Sequence, residues 1–145
     1  MKCSLITVSD RLWYGTLTFG MALTIPDDEY DLCVALARPC YIALGLVNDL
    51  YSWDKERVEA SRAGQDYVFN AIWVIMKERS VTEEEAKDVC RREALKQITA
   101  YCRNVETARK DPTLSKDLRT YLEALLFSYS GNVTWSIYCP RYKVF

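Results

Sequence analysis

Pro26-Asp27-Asp28-Glu29 announces a long helix, and that helix constrains the fold of this chain more than any other feature. Acidic residues directly after a proline favour the positive end of a helix macrodipole. The helix they open runs to about Glu56, with Pro39 inside it. Proline lacks an N–H and its ring crowds the preceding turn, so Pro39 is predicted to kink or split the helix there. The run Tyr41-Ile42-Ala43-Leu44-Gly45-Leu46-Val47 is almost wholly apolar. Other elements have to cover it.

Those elements also read as helices. The first ten residues have no clear period, but Leu12 to Leu23 is apolar and predicts a buried helix, broken near Gly15 or Gly20 and ended by Thr24-Ile25-Pro26. Ser61 to Gln65, with Gly64, reads as a loop. Asp66 to Glu78 predicts a helix with Val68, Ile72, Ile75 and Met76 at core spacing. Thr82 and Glu85 form a capping-box pattern that opens a helix to about Arg109, with an apolar stripe of Val89, Ala94, Ile98, Tyr101, Cys102 and Val105. Asp111-Pro112 stops it. A last helix starts near Ser115, turns Leu118, Leu122, Leu125 and Leu126 inward, and is predicted to break at Gly131-Asn132. No segment alternates in the manner of a strand, and no repeat is present. The fold class is all-α.

Composition removes several kinds of chemistry. The 145 residues suffice for one domain with a modest core, and half are hydrophobic, as in a folded globular chain. A net charge of −1 with no Lys/Arg-rich block argues against nucleic acid as a partner. There is no histidine, so the commonest general base and zinc ligand is missing. The six cysteines form no C-x-x-C pair and read as buried thiols in a reducing, cytoplasmic setting. The apolar run near Met1 is too short for a signal peptide, and no apolar run approaches the ~18 residues of a membrane span.

The chemistry sits at the end of the long helix. Asn48, Ser52 and Glu56 recur every four residues in Asn48-Asp49-Leu50-Tyr51-Ser52-Trp53-Asp54-Lys55-Glu56. Each step of four turns ~40° past a full circle and rises ~6 Å, so the three share one face. They offer an amide oxygen, a hydroxyl and a carboxylate, the hard oxygen donors that Mg2+ takes alongside water and phosphate. Lys55 lies beside them and can point a cation at such a phosphate. On spacing alone the same pattern also describes a solvated polar face. The apolar run before it gives the cluster the setting of a ligand with a charged head and a greasy tail.

A second cluster lies near the end of the chain, Trp135-Ser136-Ile137-Tyr138-Cys139-Pro140-Arg141-Tyr142. The planar donor fork of arginine matches phosphate oxygens, and tyrosine adds a hydroxyl. Further upstream, Asp27-Asp28-Glu29-Tyr30-Asp31 spells D-D-x-x-D. Asp27 and Asp31 lie ~26–32 Å from Asn48 along one helix, beyond the width of a diphosphate, so these acids read as a helix cap.

The stretch from Asn48 to Glu56 resembles the second metal motif of class I terpene synthases, (N/D)-D-x-x-(S/T)-x-x-(K/R)-E, with no departure from it. The resemblance implies that Asn48, Ser52 and Glu56 bind one Mg2+ and that Lys55 contacts the substrate diphosphate. Arg141-Tyr142 resembles the Arg-Tyr motif that grips the leaving diphosphate in fungal and bacterial members, and Trp135 matches a tryptophan that lines their cavity. The likeness covers roughly Leu12 to Tyr142. It is closest to the cyclase domains of fungal bifunctional di- and sesterterpene synthases of the fusicoccadiene and ophiobolin synthase type, including phrases around Asn70-Ala71-Ile72-Trp73 and Ser130-Gly131-Asn132-Val133.

The expected organisation is therefore a divergent segment, residues 1–10, followed by the C-terminal half of a cyclase domain, residues 11–145: about half of the class I helical bundle. The implied activity is Mg2+-dependent ionisation of a linear isoprenyl diphosphate, geranylgeranyl or geranylfarnesyl diphosphate, and cyclisation of the resulting carbocation, with Phe19 and Tyr41 as further aromatic lining. The family's upstream aspartate-rich motif and the prenyltransferase domain of the bifunctional relatives have no counterpart in these residues, which points to a fragment of a cyclase. The alternative is a catalytically inactive helical remnant that serves as a binding or structural protein.

Overall fold

In a computed structural model, which describes residues 6–142 and side chains from Leu12 onward, the described chain forms five α-helices. They are α1 (Ile6–Gly20), α2 (Tyr30–Arg62), α3 (Ala71–Arg79), α4 (Glu83–Lys110) and α5 (Lys116–Tyr138). Short 3-10 turns, Asp27–Glu29 and Pro140–Tyr142, precede α2 and follow α5. The fold is all-α, as the periodicity predicts.

The centre is α2, 33 residues and roughly 50 Å long, with α1, α3, α4 and α5 all packed against it. Pro39 lies inside α2 without splitting it. An interior proline costs ~3 kcal/mol, whereas burying side chains such as Leu44, Leu46 and Val47 recovers ~1.5–3 kcal/mol each. Residues 27–62 are also long and apolar enough to cross a bilayer by length and composition, a property shared with core helices, and here other helices pack against α2.

Two side-chain contacts fix the direction of α4. Asn104 Nδ2 donates to the Leu36 carbonyl at 3.0 Å and the Cys90 thiol to the Leu46 carbonyl at 3.6 Å, so α4 runs antiparallel to α2. By contrast α5 runs parallel to α2: the Cys40 thiol meets the Leu125 carbonyl at 3.8 Å, and the turn after α5 meets Asn48. One apolar cluster joins the first half of α2 (Cys33, Ala37, Tyr41, Leu44) to α4 and α5 through Tyr101, Tyr121 and Leu125. A second joins Leu46, Val47 and Trp53 to Ile72 and Ile75 of α3 and Cys90 of α4.

Several local expectations are corrected. The helix α3 starts at Ala71, not Asp66, because the Asn70 side chain accepts from the Ile72 N–H and caps it there. Gly131 does not break α5, whose continuous packing outweighs the ~1 kcal/mol that a glycine costs. Nor does Gly15 break α1, which ends at Gly20. Only one face of α1 is covered, through Trp13, Tyr14 and Leu17, and Phe19 is 91% exposed. The acids before α2 provide no side-chain cap; Glu29 instead accepts the Ser115 N–H at 2.7 Å, tying the starts of α2 and α5 together. The capping box at Thr82 and Glu85 forms as predicted. Of the cysteines, Cys33, Cys40 and Cys90 are buried, Cys102 is exposed and Cys139 is half-buried, while Cys3 lies outside the described residues. Burial pushes the Cys33 and Cys90 thiols up to about 12, so they are inert.

Candidate functional site

Because α2 is unbroken, Asn48, Ser52 and Glu56 stand on three successive turns. Each keeps one oxygen without a hydrogen-bond partner among the described residues. Asn48 donates through Nδ2 to the Tyr142 hydroxyl at 2.8 Å, which leaves Oδ1 unspent. Glu56 accepts through Oε2 from Asn70 Nδ2 at 3.0 Å, which leaves Oε1 unspent. Ser52 is only 3% exposed, and its Oγ is buried with no partner. A buried hydroxyl left unpaired costs ~1–3 kcal/mol, so it marks a place where something other than stability shapes the residue. Amide, hydroxyl and carboxylate oxygens are the donor type that a hard divalent ion takes. The closure of Ser52 departs from the open polar face that the sequence predicts: its oxygen is sealed from bulk water.

The neighbouring edge of α2 holds residues that sequence reasoning missed. Asp49 accepts the Ala71 N–H through Oδ2 at 2.7 Å, docking the start of α3 onto α2. Burial holds the Asp49 carboxyl up, at about 6, against the pull of that N–H and with a further push from the Glu56 charge. Asn70, 2% exposed, is the hub. Its Nδ2 donates to the Asp49 carbonyl at 2.9 Å and to Glu56, while its Oδ1 accepts from Ile72 N–H at 2.8 Å. An asparagine just before Ala71-Ile72 carries a readable cap signal; its reach to Glu56 has none, since it depends on how α3 folds back.

The C-terminal cluster arrives because α5 runs parallel to α2. Cys139, in extended conformation before Pro140 as sterics require, ends α5 and turns the chain toward Asn48. The Tyr142 ring meets the Trp135 ring edge-on, 5.7 Å between centroids at 85°. Trp135 is half-exposed and Arg141 exposed; the Arg141 N–H donates to the Cys139 sulfur at 3.3 Å, and no ion pair holds its guanidinium among the described residues. Lys55 faces Glu59 at 3.5 Å in a loose exposed pair of the kind worth little. Ser136, on α5, is a second buried hydroxyl without a partner. The structure thus joins Tyr142 and Trp135 to Asn48, with Arg141 beside them in sequence. It leaves out the expected Phe19 and Tyr41: Phe19 points away from the packed face of α1, and Tyr41 is buried with its hydroxyl against that of Tyr121.

Comparison with known proteins gives consistent results. The family model described as "Terpene synthase family 2, C-terminal metal binding" matches residues 1–100, which include Asn48, Ser52, Lys55 and Glu56 but not Trp135, Arg141 or Tyr142. Fusicoccadiene synthase of Phomopsis amygdali is 44% identical over 139 residues, 96% of this chain and 19% of that protein. A bifunctional sesterterpene synthase of Aspergillus aculeatus is 49% identical over 142 residues, 98% of this chain and 20% of that protein. The chain therefore spans about a fifth of the length of these curated relatives. Among solved structures, aristolochene synthase from Penicillium roqueforti superposes with a TM-score of 0.75 at 27% identity, over 90% of this chain and 42% of that one.

Proposed function

This chain belongs to terpene synthase family 2, and from that premise we propose that it forms one wall of a class I cyclase site, residues 11–145 being the C-terminal half of the cyclase domain and residues 1–10 a divergent lead-in. Asn48 Oδ1, Ser52 Oγ and Glu56 Oε1 would hold the metal, assigned as Mg2+ from the hardness of the donors. When bound, such an ion offsets the negative charge that grows on a departing diphosphate. Arg141, Tyr142 and Lys55 supply further donors to the same oxygens, and none of them needs to transfer a proton or attack carbon. That division of labour suits a chain without histidine. Trp135 presents an aromatic face that favours cationic carbon over water. The substrate class is a linear isoprenyl diphosphate. The relatives' printed names, with diterpene and sesterterpene synthases among them, support geranylgeranyl or geranylfarnesyl diphosphate.

The observation that carries this reading is the unspent oxygen on each of three successive turns, one of them buried without any partner. Titration of the chain with Mn2+, followed by electron paramagnetic resonance with and without inorganic diphosphate, tests it. Binding strengthened by diphosphate, and lost in both Asn48→Ala and Glu56→Ala, is the expected result. Binding that both variants retain would overturn the assignment. Incubation with Mg2+ and geranylgeranyl diphosphate, scored for cyclic hydrocarbon, then shows whether one wall suffices for turnover.

A second reading, a helical binding protein without turnover, is favoured by the sealing of Ser52 and by the engagement of Lys55 with Glu59. Its signature is monodisperse protein with no diphosphate-dependent uptake of Mn2+.

A further inference from the structure

We infer that Asn70 is a positioning residue for the metal site, holding one oxygen of Glu56 so that the other is aimed along the line of Asn48 and Ser52; this rests on the metal assignment above. Every polar atom of the Asn70 side chain is committed. Two N–H bonds go to the Asp49 carbonyl and Glu56 Oε2, at 2.9 and 3.0 Å, and its oxygen receives the Ile72 N–H at 2.8 Å. The amide cannot flip, because that would set its oxygen against a carbonyl and a carboxylate and its nitrogen against a donor. Burial to 2% exposure removes water as a substitute partner for these groups. Glu56, half-buried at the far end of a long flexible side chain, is therefore fixed by a residue on a different helix junction.

The same residue performs two separable tasks. Through its oxygen it starts α3, which any good capping residue can do. Through its nitrogen it orients a ligand by a hydrogen bond from outside the metal's own set of contacts, an interaction whose loss typically weakens metal binding ~10–100-fold. Asp49, which binds the Ala71 N–H, locks the junction from the other side, so that Asn70 is held in register with the α2 turn that carries Asn48.

Asn70→Ser separates the tasks, since serine keeps a capping oxygen and lacks the donor that reaches Glu56. The expected result is Mn2+ affinity in the presence of diphosphate reduced at least ~10-fold. The proton relaxivity of bound Mn2+ should also rise, as water takes the place of a misdirected carboxylate oxygen. Thr82→Ala, which removes the cap of α4, is the control for simple loss of stability and should change neither quantity. Asn70→Thr, also a capping residue too short to reach Glu56, repeats the test should Asn70→Ser fold poorly. Unchanged affinity in the Asn70 variants, with Glu56→Ala inactive in binding, overturns the inference and leaves the metal assignment standing. Equal weakening in Thr82→Ala overturns it as well. Glu56→Ala that binds like the wild type overturns the metal assignment and this inference with it.

Discussion

Within two turns of α2 lie two polar edges that have been built in opposite ways. On the edge facing α3, Asp49 Oδ2 and the Asn70 side chain are held in bonds of 2.7 to 3.0 Å, and Asn70 has no side-chain polar group left over. Along Asn48, Ser52 and Glu56, by contrast, the Ser52 hydroxyl is buried with nothing to bond, and Asn48 and Glu56 each use half of what they offer. The Asn70 side chain shows that this fold can satisfy a buried polar group completely. The unfinished edge is thus read as reserved capacity, and the finished edge as the brace that keeps it aimed.

The sharpest way to break this contrast is to remove the brace. Asn70→Ala deletes a cap and the N–H donors to the Asp49 carbonyl and to Glu56 Oε2, and should cost about 3 kcal/mol, seen as a fall of roughly 9 °C in the melting temperature. If Asn70→Ala melts with the wild type, the finished edge is ornamental. On the other edge the sign reverses: Ser52→Ala removes an orphaned hydroxyl and should leave stability unchanged or raise it by up to ~1 kcal/mol in urea unfolding, while abolishing Mn2+ uptake. A clear loss of stability there would mean that Ser52 is an ordinary core residue. The smallest effect belongs to Tyr142→Phe, which deletes the bond to Asn48 and should cost about 0.5–1 kcal/mol, confined to the last turn. Hydrogen exchange should speed up over residues 139–142 and not along α4.

Much of this fold is legible from the residues themselves. The Thr82–Glu85 box and the Ser115 start name where α4 and α5 begin, since capping is a local property. Pro39 and Gly131 mislead because their local penalties are a few kcal/mol at most, less than the packing of α2 and α5 supplies. The spacing of Asn48, Ser52 and Glu56 assigns them a common face but says nothing of what covers it. The closure of Ser52, the bond from Asn70 fourteen residues on, and the bond to Tyr142 ninety-four residues on all depend on how helices stack. The relevant information is there in the sequence only as the chain reversals at Gly64 and Asp111-Pro112, which no motif connects to the site.

The division of the apolar interior has a mechanical corollary. On α2 the buried members of the first cluster end at Leu44 and those of the second begin at Leu46, with the exposed Gly45 between them, one turn before Asn48. The two clusters meet at that level, bridged by the unbroken α2, by α4, which gives Tyr101 and Val105 to the first and Cys90 and Ala94 to the second, and by Tyr129, which touches both. Because two long helices run through both clusters, Asn48, three residues past that level, rides on a frame they share rather than on a hinge.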